Sequence, residues 1–160
     1  MPIYEIFIST LLFIFVAIAE EVMFRGYILK NLMLSVNKYI ALIISSLLFA
    51  LIHLGNANIT WFSFLNIVLA GVFLGLSYIY TKNLWFPIAL HLSWNLFQTL
   101  FGFKVSGQES YSIVEFNIKE NNLLNGGEFG FEGSILSVGF MLVSIGIIYK
   151  YYRNQENLSV

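Results

Sequence analysis

The sequence predicts an all-α fold, a polytopic transmembrane helical bundle of about five membrane helices with one polar extracellular loop. Two observations lead there. Of 160 residues, 58% are hydrophobic and only 11% charged, and the mean hydropathy of +0.78 lies well outside the range of soluble domains. The apolar residues also gather into runs long enough to cross a bilayer, which takes roughly 20 residues of helix. A chain of this length makes one domain, 1–160.

The runs fall at 4–30, 38–54, 60–81, 85–103 and 134–152. The first follows "MPIYE", which lacks the basic start of a cleaved signal peptide, so this segment is expected to be retained. It is long and the second is short, differences that tilt absorbs. Trp61 and Trp85 open the third and fourth runs, where an amphipathic ring suits the membrane interface, and Pro87 falls in a first helical turn, where its missing N–H costs nothing. Gly71 and Gly75, four apart, let a neighbouring helix approach closely. Lys30, Lys38, Lys82, Lys150 and Arg153 sit on one side of these spans and only Lys104 and Lys119 on the other, which places the first side and the C-terminus in the cytoplasm. The polar segment 104–133, with five glutamates and four asparagines, is expected outside as a loop with a short strand around "YSIVEFNI", 111–118.

Composition also excludes. A net charge of −1 gives no footprint for nucleic acid. Without cysteine or aspartate there is no disulfide, no thiolate nucleophile and no aspartyl dyad, and no HExxH zinc signature occurs.

Against this apolar background, "AIAEEVMFRGYIL", 17–29, is conspicuous, because a charged group at the bilayer centre costs roughly 2.5–3.5 kcal/mol on insertion scales. Glu21 and Arg25 are one helical turn apart and placed to neutralise each other. Glu20, about 100° round the helix, has no partner there. Both histidines are also intramembrane, and each shares a helical face with a residue four away: Phe49 with His53, and His91 with Asn95. Counting ~1.5 Å per residue from Lys30, Lys38 and Lys82 puts Glu20, His53 and His91 at depths of roughly 15, 22 and 14 Å, and Asn95 at roughly 20 Å. Three helices thus bring their strongly polar groups near one level, where tilt and side-chain length allow them to meet in one cavity. Ser93 is turned about 200° from His91, so a serine–histidine dyad is disfavoured.

The three motifs, Glu20-Glu21-x-x-x-Arg25, Phe49-x-x-x-His53 and His91-x-x-x-Asn95, resemble those of the CPBP family of intramembrane endopeptidases, which includes type II CAAX prenyl proteases and bacterial Abi-type proteins. The stretch "GGEFGFEGSILS", 126–137, is similar to one that bacterial members carry before their last helix, so the likeness spans about 17–137. Members usually have further helices ahead of the first motif, where this chain has about twenty residues, as expected of a minimal form or a fragment. The resemblance implies hydrolysis of membrane-associated proteins or peptides in a bacterial plasma membrane. It casts Glu20 as general base, His53 as a holder of the attacking water, and His91 and Asn95 as the oxyanion hole, with Glu21, Arg25 and Phe49 in support. A buried carboxylate has its charged form disfavoured, a property that suits a base working near neutrality, and each oxyanion donor is worth ~3–4 kcal/mol in known cases.

Two glutamates and two histidines also offer O and N ligands suited to zinc; the favoured reading needs no metal and no other cofactor. The alternative is a non-catalytic binding protein of the same fold, for instance one giving immunity to a bacteriocin. A proton-coupled transporter is a third reading, weakened because the polar groups do not pair between two halves of the chain.

Overall fold

The computed structural model describes residues 3–114 and 120–158 and is all-helical. α1 (Ile3–Glu21) runs without a break into a π-helical stretch, Val22–Leu29, and then α2 (Lys30–Ser35). Such stretches arise where bonds run i→i+5 and are frequent at functional sites. The chain then turns at Val36, and the Asn37 side chain caps α3 (Lys38–Ile52) by accepting from Tyr39 N at 2.9 Å. A single 3₁₀ turn, His53–Gly55, ends that helix.

Thr60 and Ser63 form a capping box that starts α4 (Trp61–Thr81), each side chain accepting from the other's backbone N–H. Lys82 closes it in the left-handed region at φ 53°. α5 (Trp85–Leu100) starts where the Asn83 side chain accepts from Trp85 N, with Pro87 in its first turn. Two 3₁₀ turns, Gly127–Phe129 and Phe131–Gly133, lead into α6 (Ile135–Leu158).

α4 is the central helix, packed between α3 and α6, and α1 lies against α5. Glycine explains the closeness of α3 and α4. A Cβ on Gly71 would stand 2.9 Å from Ser46 Cα, and one on Gly75 would overlap the tip of Leu42. One apolar cluster, including Leu29, Leu42, Leu76 and Ile79, fills the end of the bundle nearer Lys82. A second, built on Phe24, Phe49, Ile67 and Phe129, fills the middle. The large apolar side chains left exposed on α1, α3 and α6 are what lipid would cover.

Among the described residues, four helical segments, Tyr4–Ser35, Lys38–Gly55, Trp61–Thr81 and Ile135–Gln155, are long and apolar enough to cross a membrane. The span read at 85–103 is shorter: α5 stops at Leu100 after 16 residues, about 24 Å against a hydrocarbon core of about 30 Å. The reason is its polar face, since His91, Asn95, Gln98 and Thr99 are all buried against protein. Residues 111–114 are irregular rather than extended in a strand, and 115–118 lie outside the described residues. In the place of that strand, segment 101–134 holds a small bridge between Val105 and Gln108.

Candidate active site

Glu20, Phe49, His53, His91 and Asn95 line one cavity of about 290 Å³, together with residues of α4, the loop 105–110 and Glu132. Leu12, Phe13 and Val16 of α1 and Met141 of α6 give it an apolar side, and Asn56, Gln108, Glu109 and Ser110 a polar one. Glu21 and Arg25 stand behind the wall, almost wholly buried.

The geometry behind the wall is a chain of charge-assisted bonds. Arg25 Nη1 donates to Glu21 Oε1 at 2.7 Å, and Nη2 donates to the carbonyl of Gly71 at 3.0 Å. Arg25 also lies over the Phe49 ring, 4.6 Å from its centroid, within cation–π range. The same Glu21 oxygen accepts from His91 Nδ1 at 2.8 Å. A carboxylate oxygen accepts, so Nδ1 carries the proton and the ring presents Nε2 on its other side. There it faces Glu20 Oε2 at 3.8 Å, too long for a hydrogen bond and close enough for a small group to sit against both.

His53 occupies the first position of the 3₁₀ turn that ends α3, and its Nδ1 stands 2.8 Å from the carbonyl of Phe49. That carbonyl can only accept, so His53 too donates from Nδ1 and keeps Nε2 free. Phe49 separates the imidazoles, with ring centroids 4.7 Å from His53 and 6.1 Å from His91. It is a spacer in the wall as well as core. The Asn95 carboxamide, one turn beyond His91, is buried and makes no hydrogen bond to any described residue. No group of three His, Asp or Glu side chains among the described residues is arranged to hold a metal ion.

The sequence reading missed a second carboxylate. Glu132 was expected in an outside loop but is 8% exposed and forms part of the cavity wall. It is buried because the turns around Ser106 and Glu132 fold back onto α5, where α5 offers it Trp94 Nε1 at 2.8 Å and Gln98 Nε2 at 3.2 Å, and Ser106 adds its N at 2.9 Å and its Oγ at 2.8 Å. Asn66 of α4 ties the same turn down, donating to Glu132 O and Ser137 Oγ, both at 2.6 Å. The available signal was Trp94 and Gln98, four apart on the helix that carries His91 and Asn95. Nearer the surface, Lys104 Nζ bridges Glu128 at 2.9 Å and Glu109 at 3.2 Å. The hydrogen bond from Lys104 holds the Glu128 carboxyl below its usual range, and Glu128 in turn raises the lysine.

A family model described as type II CAAX prenyl endopeptidase, Rce1-like, matches residues 2–97, well over half of the chain. The matched region holds Glu20, Glu21, Arg25, Phe49, His53, His91 and Asn95 and ends before Glu132. No curated protein and no solved structure matches.

Proposed function

Because the chain belongs to the Rce1-like family of type II CAAX prenyl endopeptidases, we propose that it hydrolyses peptide bonds of membrane-associated substrates with water activated by Glu20. The kind of function follows from membership, and four apolar helices fit an integral membrane protein; the assignment of Glu20 and its partners is our reading. The observation that carries it is the convergence of Glu20, His53, His91 and Asn95 from three helical segments on one cavity.

Glu20 takes a proton from a water held between it and His53 Nε2, and the resulting hydroxide attacks the scissile carbonyl. Asn95 donates to the oxyanion from its free carboxamide. His91 donates from Nε2 as an imidazolium while Nδ1 stays on Glu21, its charge balanced by the flanking carboxylates. Glu20 then returns the proton to the leaving amine, so one water is consumed and the base is regenerated. The low dielectric of a site walled by Phe49, Leu12 and Phe13 strengthens each of these interactions.

The test is cleavage of candidate membrane peptides by protein purified in detergent. Glu20→Gln is expected to lose activity by at least about a hundredfold, as for removal of a general base, and His53→Ala to lose it comparably. Equal cleavage by both variants and the unaltered protein refutes the assignment.

A further inference from the structure

Segment 105–110 forms the polar wall of the cavity, and its shape rests on a carboxylate that the proposed hydrolysis does not use. Val105 and Gln108 exchange backbone hydrogen bonds across a two-residue turn, at 3.0 and 2.9 Å. Both turn residues have positive φ, 50° at Ser106 and 80° at Gly107. Glycine accepts this freely, and a Cβ on Gly107 would meet the carbonyl of Ala57. Serine adopts it only under restraint.

The restraint is Glu132. Its Oε2 takes both the N–H and the hydroxyl of Ser106, while Oε1 takes Trp94 and Gln98 of α5. All four partners donate, so a group that accepts at both oxygens fits and a carboxamide does not. Just past the turn, the backbone N–H and C=O of Glu109 and Ser110 make no hydrogen bond to any described residue. Both residues line the cavity that holds Glu20, His53, His91 and Asn95. Unpaired main chain beside a binding cavity is a template on which an extended peptide adds as a strand.

We propose that Glu132 is a positioning residue for substrate: by clamping Ser106 to α5 it presents the main chain of Glu109 and Ser110 as the edge on which an extended peptide docks next to Glu20. This rests on the peptidase reading above. It implies recognition of backbone rather than of one side chain at that edge.

The test uses the full chain in detergent, a fluorescein-labelled apolar peptide and the same peptide methylated on its backbone nitrogens. Binding is read by anisotropy in the Glu20→Gln background, and KM and kcat with Glu20 intact. Glu132→Gln is expected to weaken binding and raise KM about tenfold, to leave kcat within about twofold, and to abolish the preference for the unmethylated peptide. Val105→Cys, the only thiol in a chain without cysteine, is buried by the clamped turn; adding Glu132→Gln is expected to speed its labelling by a water-soluble maleimide. Unchanged binding and KM, a loss confined to kcat, an unchanged labelling rate, or no binding by the unaltered chain overturns the proposal.

Should Glu132→Gln fail to fold, Ser106→Ala decides. It removes one of the two donors to Oε2, so about threefold weaker binding supports the clamp, and undiminished binding refutes it. Binding that depends on Glu132 when Glu20→Gln still cleaves defeats the assignment of Glu20 as base alone. Cleavage that needs Glu20 and ignores Glu132 defeats this inference alone.

Discussion

His91 donates from Nδ1 to Glu21 Oε1 at 2.8 Å, so the ring that faces the cavity is held from behind by a residue that does not reach it. Arg25 takes the same oxygen at 2.7 Å and anchors it to α4 through the Gly71 carbonyl. The orientation of His91 therefore depends on contacts among α1, the π-helical stretch, α4 and α5, and errors in helix packing should reach the site through this chain of bonds.

Arg25→Ala leaves Glu21 without its guanidinium in a fully buried position. Breaking a buried pair by removing one partner typically costs about 3–5 kcal/mol, and unfolding in a detergent titration should show a loss of that order. Arg25→Lys is expected to recover only part of it, because one ammonium does not replace the fork that holds both Glu21 and Gly71. Full recovery by lysine would argue against the fork.

The two α4 glycines should differ in what alanine does to them. At Gly71 the new methyl meets backbone and Cβ of Ser46, which move only if α3 and α4 separate. At Gly75 it meets the end of the Leu42 side chain, which can change rotamer. Gly71→Ala is expected to destabilise by about 1–3 kcal/mol and Gly75→Ala by less, measured by thermal unfolding of the two variants side by side. The reverse order would contradict the packing described here.

At the surface, Lys104 and Glu128 give the loop a pH dependence. Glu128 is depressed, so its contribution is present above its unfolded value and is lost as the pH falls through the folded one. Lys104 is raised, so its contribution is present below its unfolded value and is lost as the pH rises through the folded one. The pair therefore operates between about pH 4.3 and 10.4 and fades outside that window. Glu128 is exposed and Lys104 partly so, and salt screens them. The difference in Tm between the unaltered protein and Lys104→Met is expected to be small, largest near neutrality at low salt, and to shrink as the pH falls through the acid range; a difference that grows in acid would reverse the assignment.

Activity should withstand a metal chelator. The proposed chemistry uses Glu20 and hydrogen-bond donors alone, and the side chains that meet in the cavity are not arranged as a metal-holding group. Cleavage assayed with and without 1,10-phenanthroline checks this, and loss of activity that added zinc restores would replace the base assignment with a metal-bound water.

That Glu20, His53, His91 and Asn95 could meet was legible because helical periodicity is local. Four-residue spacing placed Glu21 with Arg25 and His91 with Asn95 on shared faces, and rise per residue put the three motifs within about 8 Å of a common level. Glu132 was not legible, because its burial depends on a fold-back of the turns around Ser106 and Glu132 onto α5 that no local period encodes, and the four other glutamates and four asparagines of segment 104–133 made it look solvated. The length of α5 was misjudged for a related reason: the run 85–103 was read by its apolar content alone, whereas Gln98 and Thr99 at its end are buried against the returning loop. His53 was assigned to a helix and in fact sits on the 3₁₀ turn that ends it, a difference smaller than sequence patterns resolve.

The wide turns between Val22 and Leu29 have the effect of one extra residue inserted into an otherwise regular helix. Rewinding this stretch as ordinary α-helix with no residue removed would swing everything upstream, Glu20 included, by about 100° relative to Lys30–Ser35, whereas deleting one residue after Arg25 would restore regular winding and keep the phase. The phase of a single helix thus decides whether the carboxylate looks inward or at the acyl chains.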